Sequence, residues 1–379
     1  MIPFNRPYLT GNELANIAKV LDNRKLSGDG EFTKKCQSWF EQKFDFHKTL
    51  LTTSCTDALE MCAILLNIQP GDEVIMPSYT FVSTANAFAL RGATLVFADS
   101  QADQPNIDAA EVERLITPLT KAIVVVHYAG VACDMDRILE VATAHGIPVV
   151  EDAAQGIDSY HRGRPLGSLG ALSAFSFHET KNVVCGEGGL LVVNNAEYDL
   201  RAEIIREKGT NRSSFFRGEV DKYGWVDVGS SFLPSDMLAA FLFAQLESVE
   251  IIQAARCRVW SRYYENLAAL GQAGLISLPV IPEYATNNAH MFYLVCRDLE
   301  ERTKLIDALK AGGVMAVFHY LSLHSSPYFA AQHGDRILPN SDRYTDCLVR
   351  LPLFPDLTNE QVDKITGIIA SFYAEVCTS

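Results

Sequence analysis

A chain of 379 residues exceeds one hydrophobic core of ordinary size and predicts a large domain with a smaller companion. Its 46 acidic residues against 32 basic ones leave a net charge of −14, which argues against nucleic acid or an anionic membrane as the main partner. Nine scattered cysteines without a C-x-x-C pair suggest neither a disulfide framework nor a zinc site, and no metal is expected. The N-terminus lacks a leader pattern and no apolar run reaches membrane-spanning length, so the expected location is cytoplasmic.

Residues 1–48 read as an N-terminal arm. Leu14, Ile17, Val20 and Leu21 keep the helical period across Gly11–Leu21, and a second helix is predicted from Phe32 to Phe44. Ser27-Gly28-Asp29-Gly30 between them is a loop signal. Residues 49–250 carry the pattern of a large α/β domain. Strands are predicted at Leu50–Thr53, Asp72–Met76, Thr94–Ala98, Ala122–His127 and Pro148–Val150, with helices at Thr56–Leu66, Thr80–Leu90 and Asp134–His145. These strands are nearly continuous in apolar residues, as a parallel sheet covered on both faces requires. Ligands of such sheets sit beyond the carboxyl ends of the strands, so the polar residues that follow each strand are the candidates.

Ser54, Cys55 and Thr56 form a polar turn opening a helix, where free N–H groups and small hydroxyls suit a phosphate. Pro77-Ser78-Tyr79-Thr80-Phe81 puts an aromatic ring near the same rim. Glu151-Asp152 follows the strand ending at Val150, and alternation lets one of the two carboxylates face the site while Ala153 and Ala154 leave room for something flat. Leu172 to Ser176 reads as a short strand that breaks into a turn carrying Lys181. The glycine-rich bend Gly186-Glu187-Gly188-Gly189 then leads into the strand Leu190–Val193. A lysine held partly dry becomes a nucleophile towards carbonyls. Phosphate cradle, aromatic ring, buried carboxylate and lysine together suit one cofactor, pyridoxal 5′-phosphate (PLP).

Between Arg206 and Trp225 basic residues interleave with Phe215, Phe216, Tyr223 and Trp225, a composition that can grip a diphosphate and stack a base. A helix-rich stretch, with Ser235-Asp236 as its cap, is predicted from Met237 to Leu270. Residues 251–379 form the smaller domain, with strands at His290–Cys296 and Val314–Phe318 and helices at Arg302–Ala311 and Asn359–Phe372. Residues 325–340 read as a variable loop.

The strings G-D-E-V-I-M-P-S-Y-T-F-V-S-T-A-N-A-F (71–88), V-V-E-D-A-A-Q-G (149–156), F-S-F-H-E-T-K-N (175–182), G-E-G-G (186–189), I-I-R-E-K-G-T-N-R (204–212) and N-A-H-M-F-Y (288–293) span nearly the whole chain. With them the sequence resembles the DegT/DnrJ/EryC1 nucleotide-sugar aminotransferases. The resemblance implies a PLP-dependent transferase of fold type I: a large, mostly parallel sheet domain with helices on both faces and a smaller α+β C-terminal domain. It implies Lys181 as the Schiff-base lysine, Asp152 as partner of the pyridine nitrogen and Phe81 as the stacked ring. Gln155 falls near the cofactor's ring hydroxyl, Ser176 near its phosphate, and Ser54, Cys55 and Thr56 on the phosphate turn, with Cys55 where glycine or alanine is often seen. His319-Tyr320 resembles the family's substrate-side pair. Ser231 departs from the asparagine that commonly reaches the neighbouring subunit's phosphate. A homodimer with a shared active site is implied, acting on a dTDP-linked 4-keto-6-deoxy sugar with glutamate as amino donor. Lys208, Arg212 and Arg217 are then expected to hold the nucleotide. Three other readings stand beside it: a 3-amino or other 4-amino nucleotide-sugar transaminase, a sugar dehydratase, and a non-enzymatic PLP- or sugar-nucleotide-binding regulator; the dehydratases are expected to carry histidine in place of Lys181.

Overall fold

The computed structural model describes residues 1–333 and 336–378. Helices α1 (Glu13–Asp22) and α2 (Glu31–Phe44) open the chain where the helical period placed them. Strands β1 (Lys48–Thr52), β2 (Glu73–Pro77), β3 (Thr94–Ala98), β4 (Thr120–Val126) and β5 (Val149–Asp152) alternate with α3 (Cys55–Leu65), α4 (Val82–Ala89), α5 (Ala109–Leu115) and α6 (Met135–His145). A short hairpin, β6 (Tyr160–His161) with β7 (Arg164–Pro165), stands apart from the sheet, which continues with β8 (Leu172–Ser176) and β9 (Gly189–Val193). The seven-stranded order is β1-β9-β8-β5-β4-β2-β3, and only β9 runs antiparallel to its neighbours. This is the large, mostly parallel sheet that the apolar strands predict.

Alternation along the strands explains why they lack polar gaps. Met76, Val124, Val150 and Leu191 enter the core that holds α3 and α4. Ile75, Ile123, Val125 and Val149 enter the core under α5 and α6, while Leu51, Phe175, Leu190 and Val192 meet α2 and α9 (Asp236–Leu246) once the chain returns. Both faces of the sheet are therefore covered, and successive residues have nowhere wet to go.

After β9 come α7 (Asp199–Arg206) and α8 (Arg212–Phe216), then α9 and α10 (Val249–Gln272). The helix-rich stretch over Met237–Leu270 consists of these two helices, bent by 61° at Glu247–Ser248. Ser248, at φ −116° and ψ 11°, leaves helical geometry and lets α9 stay in the sheet's core while α10 runs into the second domain. That domain holds β10 (Phe292–Val295), α11 (Leu299–Ala311), α12 (Pro327–His333), α13 (Pro339–Cys347), β11 (Leu348–Leu351) and α14 (Asn359–Thr378). The strand expected at Val314–Phe318 makes only isolated bridges, Val314 with Ile2 and Val317 with Arg350, so it lies extended without joining a ladder. The expected loop at 325–340 contains α12 and the start of α13; residues 334 and 335 within it lie outside the described residues. Among the described residues, no single helix is long and apolar enough to cross a membrane.

The two acidic residues at the end of β5 have opposite fates. Glu151 is fully buried and accepts from Gly167 N (2.8 Å), Leu169 N (2.7 Å) and Gly170 N (2.6 Å) as well as from His127 Nε2 (2.9 Å). His127 Nδ1 accepts from Cys133 N (3.1 Å), so the ring carries its proton on Nε2 and gives it to Glu151. Burial alone would raise the Glu151 pKa, but these donors hold it below the usual carboxylate range. Glu151→Ala should therefore cost on the order of 3–5 kcal/mol, because it strands several buried donors. Urea unfolding checks this, and a midpoint equal to that of the parent chain would show the network to be idle.

Candidate active site

A cavity of about 790 Å³ opens beyond the carboxyl ends of the strands, between the two domains. It gathers Ser54, Cys55, Thr56, Phe81, Asp152, Gln155, Ser176, Lys181, His319 and Tyr320. Glu151 points to the other face of the sheet, so alternation selects Asp152 for the cavity.

Ser54 caps α3 in extended geometry, its hydroxyl accepting from Asp57 N at 3.0 Å, and the first-turn N–H groups of Cys55 and Thr56 open beside the cavity. Thr56 Oγ1 donates to Ser83 Oγ at 2.8 Å. Gly189 lies against this turn: a Cβ there would come within 2.3 Å of Ser54 C and O and 2.5 Å of Cys55 N. Gly186, at φ +87°, supplies the left-handed bend that brings the chain back to that point. The glycine-rich bend after the lysine thus allows the turn at Ser54 and Cys55 to pack against β9.

Asp152 Oδ2 accepts from Thr84 Oγ1 at 2.7 Å and Oδ1 from Ala154 N at 3.1 Å. Burial raises its pKa, while Thr84, Ala154 and Lys181 oppose the rise. A protonated ring nitrogen beside this carboxylate would supply the counter-charge that burial calls for. Lys181 stands on the turn after β8, and burial pushes its ammonium below the ordinary 10.5, with Arg350 adding to that effect and Cys55 and Asp152 opposing it. Phe81 ends its strand-to-helix turn as an exposed residue at the cavity, its ring 6.2 Å from the Tyr320 ring. A flat ligand thus finds an aromatic face, a carboxylate, an amine and a phosphate turn around one space, which is the donor set PLP requires.

Gln155 is fixed by two bonds, its Oε1 accepting from Ala129 N at 2.6 Å and its Nε2 donating to Tyr320 OH at 3.0 Å. His319 Nδ1 shares a 2.7 Å hydrogen bond with Tyr128 OH, and burial keeps the ring's pKa well below 6.5. A layer behind the site escaped sequence reasoning. Asn182 Nδ2 donates to Gln253 Oε1 (2.8 Å) and Asn288 O (2.9 Å), and Asn182 Oδ1 faces His290 Nδ1 at 2.8 Å. Asn288 Nδ2 in turn reaches Gln155 O and Ile157 O, both at 2.7 Å. The N-A-H run at 288–290 therefore ties the second domain to the residues beside Lys181 and Gln155; spacing alone carried no sign of this role. Arg350 and the N-terminal Phe4 and Asn5 also line the cavity and were not foreseen.

Four expected residues lie outside this cavity. Ser231 is exposed and bridges Glu207, while Lys208, Arg212 at the start of α8 and Arg217 at its end are exposed along the segment that follows Glu207. Arg217 pairs with Glu203 (2.8 Å) and Glu219 (2.7 Å), and Arg212 lies 3.7 Å from Glu207 and over the Phe216 ring. Arg206, at the start of that segment, is buried and pairs with Asp29 at 2.7 Å, so it holds the N-terminal arm and leaves the surface charge to the others.

Sheet topology and cavity together define a PLP-dependent transferase of fold type I. The match to the DegT/DnrJ/EryC1/StrS aminotransferase family runs over residues 7–370, and the chain belongs to that family. Among solved structures, the aminotransferase TlmJ from Streptoalloteichus hindustanus is similar at 29% identity and a TM-score of 0.91, over 100% of both chains. DesV from S. venezuelae is similar at 31% identity and a TM-score of 0.87, over 95% of this chain and 94% of its own. Spr1654 from Streptococcus pneumoniae, described as a sugar aminotransferase and solved in PLP and PMP forms, reaches a TM-score of 0.92 at 26% identity in its PMP form, over 99% of this chain and 100% of its own. The enzyme is thus a PLP-dependent sugar aminotransferase that takes an amino group from a donor and delivers it to a sugar.

The lowered ammonium pKa of Lys181 predicts a pH profile. Only the neutral amine attacks an aldehyde, so the rate at which apoenzyme combines with PLP should rise with pH and level off below 10.5. A midpoint at or above that value would mean the lysine is solvated.

Proposed function

We propose that this enzyme transfers an amino group from glutamate to C4 of dTDP-4-keto-6-deoxy-D-glucose, giving dTDP-4-amino-4,6-dideoxy-D-galactose for a cell-surface polysaccharide. The long strings at 71–88, 149–156, 175–182 and 204–212 resemble most those of dTDP-4-amino-4,6-dideoxygalactose transaminase. The observation that carries the nucleotide part is the segment after Arg206. There Phe216, Tyr223 and Trp225 are 70%, 53% and 84% exposed beside Lys208 and Arg212, in a chain whose net charge is −14. An exposed aromatic and basic surface of this kind marks a binding face. In this reading two copies pair so that Ser231 and this loop complete the neighbouring subunit's cavity. Lys208 and Arg212 then face the diphosphate, and Arg217 braces the loop through Glu203 and Glu219 until phosphate competes for it.

Bound PLP supplies an electron sink for the pair left at the donor's α-carbon. Asp152 would hold the proton on the pyridine nitrogen, and Phe81 would offer its ring as an aromatic face. Ser54, Cys55, Thr56 and Ser176 would hold the phosphate, and Gln155 would stand near the ring hydroxyl. Lys181 Nζ would take the proton from the donor's α-carbon and, in the second half, deliver one to the sugar carbon that receives the nitrogen. His319 and Tyr320 line the substrate side, with His319 neutral because burial lowers its pKa. A sugar dehydratase would be expected to carry histidine where Lys181 stands, and a non-catalytic regulator would release no 2-oxoglutarate from glutamate.

Two measurements test this reading. Product NMR from a panel of dTDP-ketosugars should show amination at C4 with the galacto configuration; amination only at C3, or of another nucleotide's sugar, would overturn the substrate. Arg212→Ala should cost on the order of 1.5–3 kcal/mol in the ketosugar half-reaction and leave conversion of PLP to PMP by glutamate nearly untouched. Equal losses in both halves would assign the loop to cofactor or fold, and no loss in either would return it to the solvent.

A further inference from the structure

The ring of His290, at the wall of the cavity, is held on one edge and unpaired on the other. Asn182, the residue after Lys181, fixes the held edge. Its Nδ2 donates to Gln253 Oε1 at 2.8 Å and to Asn288 O at 2.9 Å, so its Oδ1 is left to accept from His290 Nδ1 at 2.8 Å. Nδ1 therefore carries the ring's hydrogen, and Nε2 of the neutral ring is a bare lone pair. Burial, with Lys181, Arg256 and Arg350 adding to it, keeps a second proton off the ring. His290 lines the cavity, and among the described residues no donor reaches Nε2.

The backbone beneath the ring is fixed as firmly. Ala289 is buried at φ +52°, a left-handed conformation that a residue with a Cβ rarely adopts. Ala289 N donates to Asn287 Oδ1 (2.9 Å) and His290 N to Asn288 Oδ1 (3.0 Å). The buried Arg256 donates through Nε to Ala289 O (3.1 Å) and through Nη2 to His290 O (2.6 Å). These bonds offset the local strain and leave the ring little freedom to turn. An acceptor fixed in advance and left unpaired is matched by a ligand that brings one O–H or N–H to it.

We propose that His290 Nε2 accepts a hydrogen bond from the hydroxyl on the sugar carbon next to the carbonyl that is aminated, and that the enzyme selects its ketosugar by this bond. The lone pair repels the carboxylates of an amino acid and the phosphates of the nucleotide, which accept and do not donate. The amino donor's N–H groups are on the nitrogen that reacts. The N–H of thymine lies a pyranose ring, a diphosphate and a deoxyribose away from the reacting carbon. The place on the sugar follows from the ring's partner: His290 is bonded to the residue adjoining Lys181, and Lys181 acts at the reacting carbon. In dTDP-4-keto-6-deoxy-D-glucose the carbons beside C4 are C3, which bears a hydroxyl, and C5, which bears the methyl group, so the C3 hydroxyl is the donor. That numbering rests on the proposed C4 ketosugar; the rest needs only a sugar as the amino acceptor.

The test compares dTDP-4-keto-6-deoxy-D-glucose with its 3-deoxy analogue on the PMP form of the holoenzyme, each reaction followed by cofactor absorbance. The parent enzyme should react with the 3-deoxy sugar about tenfold to a hundredfold more slowly at low substrate, because Nε2 is then left unpaired in a buried site. His290→Phe keeps a flat ring and removes the acceptor; it should lose a similar factor with the hydroxylated sugar and little more with the 3-deoxy sugar. His290→Gln, whose Oε1 can still accept, should recover part of that loss. Conversion of PLP to PMP by glutamate controls for damage to the cofactor site, and the comparison on the parent stands even where a variant fails to fold. Equal reaction of the parent with the two sugars would overturn the proposal. A variant that loses as much with the 3-deoxy sugar as with the hydroxylated one, or equally in both half-reactions, would also overturn it and make His290 a support of the fold or of Lys181. If product NMR places the nitrogen on another carbon, the deoxy sugar is made at the carbon beside that one. The C4 reading then fails, while discrimination against that deoxy sugar upholds the acceptor and its absence sinks both.

Discussion

A buried carboxylate and a lysine share one cavity at the rim of the sheet, and the rest of the chain is organised to keep them together and dry. Asp152 ends β5 and Lys181 follows β8, adjacent parallel strands whose register fixes how close the two groups come. Burial acts on them in opposite directions, raising the acid and lowering the ammonium, so each makes the other's charge less costly. For Lys181 burial outweighs the opposing pull of Asp152, which leaves the lysine closer to the neutral amine.

The neighbouring Glu151 shows how one strand serves two ends. Its side chain goes to the other face, where His127 and the amides after Pro165 satisfy it completely. Asp152 is held by only two donors and keeps capacity towards the cavity. The contrast separates a carboxylate that fastens the sheet to a loop from one available to a ligand. The second domain completes the enclosure through the network of Asn182, His290 and Asn288, so the site depends on how the domains meet.

Much of this arrangement was legible in the residues. Continuous apolar strands announced a sheet covered on both faces, and the rule that ligands bind beyond strand ends directed attention to Ser54, Asp152 and Lys181. The break at Ser248 left no mark because neither glycine nor proline stands there; tertiary packing of α9 against the sheet decides it. Val314–Phe318 has the composition of a strand, but its isolated bridges to Ile2 and Arg350 depend on segments remote in sequence. Arg350 was invisible for the same reason: an arginine in a half-buried strand reads as an edge residue until Phe4, Phe318 and the cavity are seen around it. Arg206 illustrates the reverse, a basic residue in a basic segment whose partner, Asp29, is far away along the chain.

The central claim is that Lys181 is the residue that holds the cofactor covalently. Reducing the holoenzyme with borohydride fixes PLP to the lysine that carries it, and peptide mapping by mass spectrometry then reads the position. The account predicts the pyridoxyl mass on the peptide containing Lys181 and on no other. A label on a different lysine, or none after reduction of a fully loaded enzyme, would contradict it.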